Sequence, residues 1–224
     1  MRIWIRRVAW ALVVLAAVPL GLTLLYRIVD PVSTLMLADQ VRGRPVDRRW
    51  VPLDRISPEV VRAVVSSEDA RFCSHHGIDW AEIDRAVDVS ERTGRGPRGV
   101  STLTMQVAKN LFLWPQRSWL RKILEAPLAL WIDLVLPKRR VLEIYLNIAE
   151  WGPGGVYGIE AGAQRAFRKP ASALGPREAA IMATALPNPI LRDPSRPSRR
   201  HQGLASIIER RARAAGATLD CLKG

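Results

Sequence analysis

The chain has 224 residues, with 34 Lys and Arg against 21 Asp and Glu, which gives a formal net charge of +13. That length accommodates one membrane segment and one domain of about 190 residues, and the charge favours an anionic partner such as a nucleic acid, an anionic lipid or a phosphorylated substrate. The two cysteines, Cys73 and Cys221, exclude a disulfide-dense scaffold. We expect no bridge between them, because the sequence supplies no geometry for one.

The N-terminal segment has the pattern of a membrane anchor. Residues 8–26 carry no charged side chain, and a helix of that length is about 28 Å long, close to the ~30 Å hydrocarbon core. Because Arg2, Arg6 and Arg7 precede it, the positive-inside rule predicts a cytoplasmic N-terminus at 1–7 and an exported remainder. A cleaved signal peptide is the alternative, but its apolar core would be shorter than this one. Export argues against nucleic acid as the anionic partner.

The first predicted helix of the domain ends on a carboxylate. Residues 27–49 are expected to form a connector with little regular structure, ahead of a domain at 50–224. Ser-Pro-Glu at 57–59 has the pattern of a helix start, and valines at helical spacing follow it. Glu68 then falls near the C-terminal end, where the helix dipole disfavours a carboxylate; such conflicts are typical of functional residues. A solvated acid is the simpler interpretation of that pattern alone.

A second polar block follows at 99–110. A capping box at 79–82 predicts a helix to about Glu91, and the glycine-rich stretch 93–99 predicts a flexible loop. Ser101 is expected to cap the next helix, whose N-terminal N–H groups form a candidate anion site, although most capped helices bind nothing. Polar side chains at i, i+4 and i+7 share one stripe of this helix: Thr102, Gln106 and Lys109.

A third charged block belongs to an apolar helix predicted at 118–136. Arg117, Arg121 and Glu125 are spaced by four residues and therefore share one stripe. A surface ladder of ion pairs is the alternative, but the apolar side chains on the other faces predict burial, and a buried row of charges requires partners or a function. The preceding segment, 111–120, mixes large apolar side chains with arginine and suits either the core or a membrane surface.

The remainder of the chain is predicted to be helical apart from one loop. Helices are expected at 138–147, 160–167, 176–186 and 198–215, and the glycine-rich stretch 151–158 is expected to be a loop. Alternating strand patterns are scarce and no internal repeat occurs, so the domain is predicted to be mainly α.

Five blocks carry polar residues at fixed spacings: Glu68-Asp69 with Phe72, His75 and Gly77; GVSTLTMQVAKN at 99–110; Arg121-Lys122-Ile123-Leu124-Glu125; VLEIYLN at 141–147; and the segment from Asn147 through Leu186-Pro187-Asn188-Pro189. In this order they resemble the motifs of the peptidoglycan glycosyltransferases of glycosyltransferase family 51, most closely its monofunctional biosynthetic transglycosylases. The resemblance covers roughly residues 50–200. Two positions depart from the family pattern: Val100 replaces a Gly, and Met105 replaces a Gln and so removes a polar group from that position.

The resemblance implies a lysozyme-like glycosyltransferase domain behind one N-terminal transmembrane helix, on the periplasmic side of the bacterial cytoplasmic (inner) membrane. The implied substrates are lipid II, a disaccharide-pentapeptide on undecaprenyl pyrophosphate, and the growing glycan strand. Cell-wall synthesis or division proteins are the expected class of protein partner, and no nucleic acid is expected. Glu68 is the expected general base and Glu125 the second catalytic carboxylate. The residues expected to bind substrate are Ser101, Thr102, Gln106, Lys109, Asn110, Arg117 and Arg121.

No firm cofactor follows from these motifs. Glu125 has two roles open to it: it orients the neighbouring bases, or it holds a divalent Mg²⁺ or Mn²⁺ that bridges the pyrophosphate. Cys73, His75 and His76 lack a second Cys/His pair nearby, so no zinc site is expected. The chain contains no Ser-x-x-Lys and no Lys-Thr-Gly motif, so the transpeptidase chemistry of the bifunctional relatives is not expected.

Two other functions fit the same residues. A lysozyme-like lytic transglycosylase also uses a Glu at a helix end, but it cleaves uncharged glycosidic bonds and would not need the basic set Lys109, Arg117 and Arg121. A non-enzymatic membrane-anchored scaffold would tolerate Glu68→Gln and Glu125→Gln. For a glycosyltransferase we expect both substitutions to abolish polymerisation and to leave folding intact, because both are nearly isosteric.

Overall fold

The computed structural model describes residues 1–94, 96, 100–116, 118–214 and 219–223. Within these ranges the chain forms ten α-helices and one small sheet, so the mainly α prediction is confirmed. The helices are α1 (Arg2–Leu25), α2 (Thr34–Val41), α3 (Pro58–Glu68), α4 (Trp80–Thr93), α5 (Leu103–Phe112), α6 (Trp119–Val135), α7 (Lys138–Ile148), α8 (Ile159–Phe167), α9 (Pro176–Ala185) and α10 (Arg199–Ala214). The strands are β1 (Asp47–Arg48), β2 (Glu150–Gly152) and β3 (Val156–Tyr157).

The helices enclose one main apolar core. Helix α9 is buried on nearly every side, and it packs against α3, α8 and α10. Its inward positions are mostly alanines, such as Ala179 and Ala183, which allow the neighbouring helices to approach closely. Helices α5 and α7 add apolar stripes at helical spacing, with Leu103, Val107 and Leu142 fully buried. The core therefore holds α3, α5 and α7 in fixed relative positions.

The connector at 27–49 contains regular structure, contrary to expectation. Helix α2 lies within it, with Ser33 as its cap, and the Met36 side chain is buried in the core. The Tyr157 hydroxyl donates a hydrogen bond to Asp39 at 2.7 Å. These contacts with distant parts of the chain order the segment, and its local sequence pattern carries no sign of them.

The stretch 151–158, predicted to be a loop, belongs to a three-stranded sheet of order β1-β3-β2. β1 runs parallel to β3, with Asp47 opposite Val156, and β2 runs antiparallel to β3. Strands of two or three residues are too short to show an alternating pattern, which is why the sequence did not reveal them.

Helix α1 packs along α6. The Trp131 indole donates to the carbonyl of Leu20 at 3.2 Å, and the Arg140 guanidinium donates to the carbonyls of Tyr26 and Val29, each at 2.9 Å. In the part of the chain that the structure describes, no helix has the combination of length and apolar character needed to cross a membrane. The transmembrane anchor predicted at 8–26 is therefore not confirmed.

Cys73 and Cys221 form a disulfide, so the expectation of no bridge was wrong. Their Cα atoms lie 5.5 Å apart, although 148 residues separate them in sequence. The bridge joins a 3₁₀ turn directly after α3, Phe72–Ser74, to a C-terminal 3₁₀ turn, Asp220–Leu222. Leu222 is buried, and its carbonyl accepts a hydrogen bond from Arg139 at 3.3 Å. Packing of the C-terminal turn thus brings the two cysteines together, which no local pattern could show.

Candidate active site

Glu68 lies at the end of a helix that is held on two sides. The Ser57 hydroxyl caps α3 by accepting a hydrogen bond from the Glu59 N–H at 3.3 Å. The side chains of Val60 and Val64 are fully buried, and α3 packs against α9 and α10. The predicted position of Glu68 in the last turn is confirmed, and the surrounding helices hold that turn in place.

Two neutral groups donate hydrogen bonds to the half-buried Glu68 carboxylate. The Gln106 amide donates from Nε2 to Oε2 at 3.2 Å, and the Ser67 hydroxyl donates to Oε1 at 3.1 Å. Burial raises the pKa of Glu68, and these hydrogen bonds, together with the charges of Lys109 and Arg192, oppose that shift only in part. A raised pKa makes Glu68 a stronger proton acceptor than an exposed glutamate.

The neighbouring carboxylate, Asp69, joins the first motif to the second. It is buried, and His75 Nε2 lies 3.0 Å from each of its oxygens. The backbone N–H of Leu103, in the first turn of α5, donates to Asp69 Oδ2 at 2.9 Å. Asp69 therefore holds the start of α5 against the end of α3. His75 is the packed hydrogen-bonding residue of this contact.

Thr102, rather than the predicted Ser101, caps α5. Its hydroxyl accepts a hydrogen bond from the Met105 N–H at 3.1 Å and donates to the Gly77 carbonyl at 2.6 Å. Both bonds are internal, so this hydroxyl has no proton left to donate to a substrate. Ser101 is less buried, and its hydroxyl accepts a hydrogen bond from Lys122 at 3.3 Å.

Gly77 brings the first motif against α6. Its φ is +77°, in the left-handed region that favours glycine, and a Cβ at this position would lie 2.7 Å from the Ala129 carbonyl oxygen. Any side chain would push the motif away from the helix that carries Glu125. The glycine therefore sets the spacing between the two carboxylate-bearing parts of the site.

Glu125 lies at the centre of a cluster of charges on α6. Its side chain is 3% exposed; Arg121 Nη1 donates to Oε1, and Lys122 Nζ donates to Oε2 at 3.0 Å. Arg121 also donates from Nε to the Gln116 carbonyl at 3.0 Å. The predicted stripe is confirmed for Arg121 and Glu125, whereas Arg117 lies outside the described residues.

Lys109 on α5 links the two carboxylates electrostatically. Burial lowers the pKa of Lys109; the positive charge of Arg121 and, less strongly, that of Lys122 act in the same direction, while the charges of Glu125 and Glu68 oppose the shift. The charges of both carboxylates therefore act on the ammonium group. Within the described part of the chain it has no ion-pair partner within 4.0 Å, so its N–H groups remain available for a ligand.

A cavity of about 310 Å³ lies beside Glu68. It is lined by residues 66–71 and 100–102, by Asp79 and Glu82, which follow the first motif in sequence, and by Arg211 on α10. Arg71 pairs with Asp79 at 3.2 Å rather than with Asp69. Glu68 thus borders this cavity and also interacts with the charge of Lys109.

The structure brings most of the predicted site residues together. Those that share the region around the two carboxylates are Glu68, Ser101, Gln106, Lys109, Arg121 and Glu125. Thr102 borders the same cavity, but its hydroxyl serves as the helix cap. Asn110 is half-buried, and its backbone carbonyl accepts a hydrogen bond from Thr34 at 3.2 Å. The expected anion site at the start of α5 includes Gly99, which lies outside the described residues together with most of the loop at 93–99.

Three residues of the site were not among those predicted. Lys122 and Tyr145 belong to the third and fourth motifs, so the signal was present and only their roles were missed. Arg192 follows α9 in a stretch without periodicity, and no sequence feature marked it. Its guanidinium donates to the Thr184 carbonyl at 2.9 Å, and its charge acts on Glu68.

The comparisons with known proteins agree with this arrangement. The family model described as Transglycosylase matches residues 35–213. The chain is 53% identical to a protein of Nitrobacter winogradskyi over 96% of this chain and 95% of that one. It is 54% identical to a protein of Rhodopseudomonas palustris (94% and 89%) and 52% identical to one of Agrobacterium fabrum (97% and 96%). All three relatives are named biosynthetic peptidoglycan transglycosylase.

A match over most of the chain, together with identities above one half to relatives covered almost end to end, shows the family. Residues of the first four motifs that carried the resemblance meet around Glu68 and Glu125 in the structure. The chain therefore belongs to the transglycosylase family of peptidoglycan glycosyltransferases, which confirms the membership and the class of activity predicted from its motifs.

Proposed function

We propose that this peptidoglycan glycosyltransferase polymerises lipid II into β-1,4 glycan strands with Glu68 as the general base. The acceptor's 4-hydroxyl attacks the anomeric carbon of the donor's reducing-end sugar while the bond to the pyrophosphate breaks on the opposite face. The hydroxyl proton passes to Glu68, and undecaprenyl pyrophosphate leaves with the bonding electron pair. The α linkage of the donor thereby becomes a β linkage.

The observation that carries this proposal is that Glu68 borders an open cavity and also interacts with the charge of a cation, Lys109. The cavity of about 310 Å³ gives an incoming sugar hydroxyl access to the carboxylate. Burial raises the pKa of Glu68, which suits a group that must accept a proton in the transition state. The charge of Lys109 acts on Glu68, and Lys109 in turn interacts with the charges of Arg121 and Lys122. In the proposed reaction the departing group gains negative charge at this basic cluster.

Lys109 and Lys122 are the proposed pyrophosphate ligands of this cluster. Lys122 is 41% exposed, so its ammonium group can reach a substrate while it contacts Glu125 and Ser101. Arg121 is more enclosed and donates to both Glu125 and a backbone carbonyl, so it fixes the cluster and contributes its charge. Cations positioned before the reaction stabilise a developing negative charge without reorganisation.

The residues present do not form a protein site for Mg²⁺ or Mn²⁺ at Glu125. Each of its oxygens already accepts a hydrogen bond from a cation, Arg121 or Lys122. Among the described residues, no group of three His, Cys, Asp or Glu side chains is arranged to hold a metal ion. Of the two roles open to Glu125, orienting the bases fits these contacts.

The finer localisation is part of the same proposal: residues 8–26 anchor the chain in the cytoplasmic membrane, with the domain on the periplasmic side. The uncharged run and the preceding arginines support that orientation. Large apolar side chains are exposed on α6, next to α1: Trp119, Ile123 and Leu134. Such a surface suits contact with lipid. The Cys73–Cys221 disulfide supports export, because such bonds persist in an oxidising compartment.

The test is a polymerisation assay with labelled lipid II and the full chain. Glu68→Gln is expected to lower the rate at least ~10³-fold, because it removes the proton acceptor and keeps the shape. Glu91→Gln is the matched control, since Glu91 lies on the exposed part of α4 and the same chemical change there should leave the rate unchanged. Retained polymerisation by Glu68→Gln would overturn the assignment. Shortening of preformed glycan by the unmodified chain, without synthesis, would instead identify a lytic enzyme. If the unmodified chain neither synthesised nor shortened glycan, the result would indicate a non-enzymatic scaffold.

A further inference from the structure

Three side chains from three helices form a continuous hydrogen-bonded line that ends on Glu68. Tyr145 on α7 is 1% exposed, and its hydroxyl donates to Gln106 Oε1 at 3.0 Å. Gln106 on α5 then donates from Nε2 to Glu68 Oε2 at 3.2 Å. Each member of the line thus has a partner.

The line has a direction that the buried phenol determines. A glutamine amide can rotate by half a turn and exchange its donor and acceptor ends with little change in shape. Burial, and to a lesser degree the charge of Glu68, raises the pKa of Tyr145 well above its ordinary value, so the phenol keeps its proton. A protonated phenol can donate or accept, but in the described part of the chain Gln106 is the one hydrogen-bond partner of this buried hydroxyl, so its proton is satisfied only when it donates to the carbonyl end of the amide. The N–H end of Gln106 then faces Glu68.

We propose that Tyr145 is a positioning residue for the general base: it fixes the Gln106 amide so that an N–H group, and not a carbonyl oxygen, faces the Glu68 carboxylate. This inference rests on the proposed role of Glu68. The amide N–H stabilises the ionised carboxylate, which is the form that accepts the substrate proton. Tyr145 therefore acts on catalysis through Gln106 and does not need to touch the substrate.

Removal of the phenol hydroxyl should release the amide. The carbonyl end can then turn toward Glu68, where it accepts a hydrogen bond only from the protonated acid, and protonation becomes easier. The other groups that face Glu68 are Lys109 on α5, Arg192 after α9 and the Ser67 hydroxyl on α3, and none of them changes. The predicted result is a smaller fraction of ionised base at each pH on the acidic side of the profile.

The experiment compares pH–rate profiles of lipid II polymerisation by the full chain and by Tyr145→Phe. We expect the acidic limb of kcat/KM to move to higher pH by about one to two pH units, the equivalent of one hydrogen bond to a charged group. The rate should approach that of the unmodified chain at alkaline pH, where Glu68 is ionised in both. A loss that is the same at every pH would overturn the proposal.

Tyr157→Phe is the matched control. Tyr157 is also fully buried, and its hydroxyl donates to a carboxylate, Asp39, at 2.7 Å in the region of the small sheet. Both substitutions delete one buried phenol hydroxyl, so both should lower the melting temperature, but only Tyr145→Phe should move the acidic limb. A shift of equal size in Tyr157→Phe would show that the effect is general destabilisation and would overturn the proposal.

Two further variants keep the test decisive. Gln106→Met removes the amide and keeps a flexible side chain of similar length, so it should move the limb at least as far as Tyr145→Phe even if the latter folds poorly. An unmoved limb in Gln106→Met would overturn the proposal. Glu68→Gln distinguishes failure of the general-base assignment from failure of the positioning role of Tyr145. If it polymerises lipid II, the base assignment fails; if it is inactive while the limb of Tyr145→Phe stays in place, only the positioning role fails.

Discussion

Glu68 and Glu125, the two candidate catalytic carboxylates, have contrasting electrostatic surroundings. Glu68 accepts hydrogen bonds from an amide and a hydroxyl, borders a cavity and has a raised pKa because of burial. Glu125 is almost completely enclosed, with Arg121 on one oxygen and Lys122 on the other. The first environment preserves a basic carboxylate that can accept a proton. The second environment pairs the carboxylate with two cations, so two acids of the same type are suited to different roles.

The largest expected effect is the loss of polymerisation rate in the Gln variants of the two carboxylates. The two variants should differ in their stability. Glu68→Gln should lose at least ~10³-fold in polymerisation rate because it loses the base, and Glu125→Gln should lose about 10²–10³-fold because it misplaces the cations. Near-isosteric replacement was expected to spare folding at both positions, but the contacts of Glu125 change that expectation. Glu125→Gln leaves the enclosed Arg121 without a counter-charge and should lower the free energy of unfolding by about 1.5–3 kcal/mol. Urea unfolding measures this difference, and equal stability of the two variants would contradict the contrast.

The next prediction concerns Lys109, whose ammonium group interacts with the charges of both Glu68 and Glu125. Lys109→Gln should lower kcat by about 10²-fold, the value typical of one preorganised donor to a developing charge. Lys122→Gln should have a smaller effect, since Lys122 is more exposed and Arg121 remains paired with Glu125. Steady-state kinetics on lipid II provides the measurement. A larger loss of kcat in Lys122→Gln than in Lys109→Gln would contradict the prediction that Lys109 contributes more to transition-state stabilisation than Lys122.

The third prediction uses the disulfide, which lies only on the Glu68 side. It joins the turn after α3 to the C-terminal turn and closes a loop across 148 residues of sequence. Cys221→Ser should lower the free energy of unfolding by about 2–5 kcal/mol, because the unfolded chain gains freedom. The rate below the melting temperature should fall less than about tenfold, since Asp69, His75 and Leu103 still connect the motifs. Thermal unfolding with and without reductant measures the first effect, and reductant should leave the variant unchanged.

The smallest effect is a pH-dependent gain in stability for Glu68→Gln. Because the folded-state pKa of Glu68 lies above that of an exposed glutamate, the folded chain holds a proton that the unfolded chain releases between those two values. Ionised Glu68 therefore lowers stability above its folded pKa, and this penalty vanishes below the unfolded pKa of about 4.3. The uncharged variant should melt at a higher temperature than the unmodified chain at pH 8, with no difference near pH 4. A lower melting temperature at pH 8 would contradict the desolvation of Glu68.

Local features of the sequence determined the helices and the chemical content of the site. Ser57 before Pro58 marked the start of α3, Ser118 marked the start of α6, and the spacing of Arg121 and Glu125 predicted that they share one stripe of that helix. These predictions succeeded because caps and helical periodicity depend on residues within a few positions of each other.

The tertiary structure decided what each polar group contacts. The disulfide joins two cysteines that lie 148 residues apart in the sequence, and the Thr102 hydroxyl donates its proton to the Gly77 carbonyl. The Tyr145 hydroxyl is connected to Glu68 through Gln106. The order in the connector and the small sheet likewise depends on distant partners such as Tyr157 and Asp39. Residue types and helix boundaries follow from short-range interactions along the chain. Hydrogen-bond partners, burial and the resulting pKa values exist only once the helices have packed, and it is these that distinguish Glu68 from Glu125.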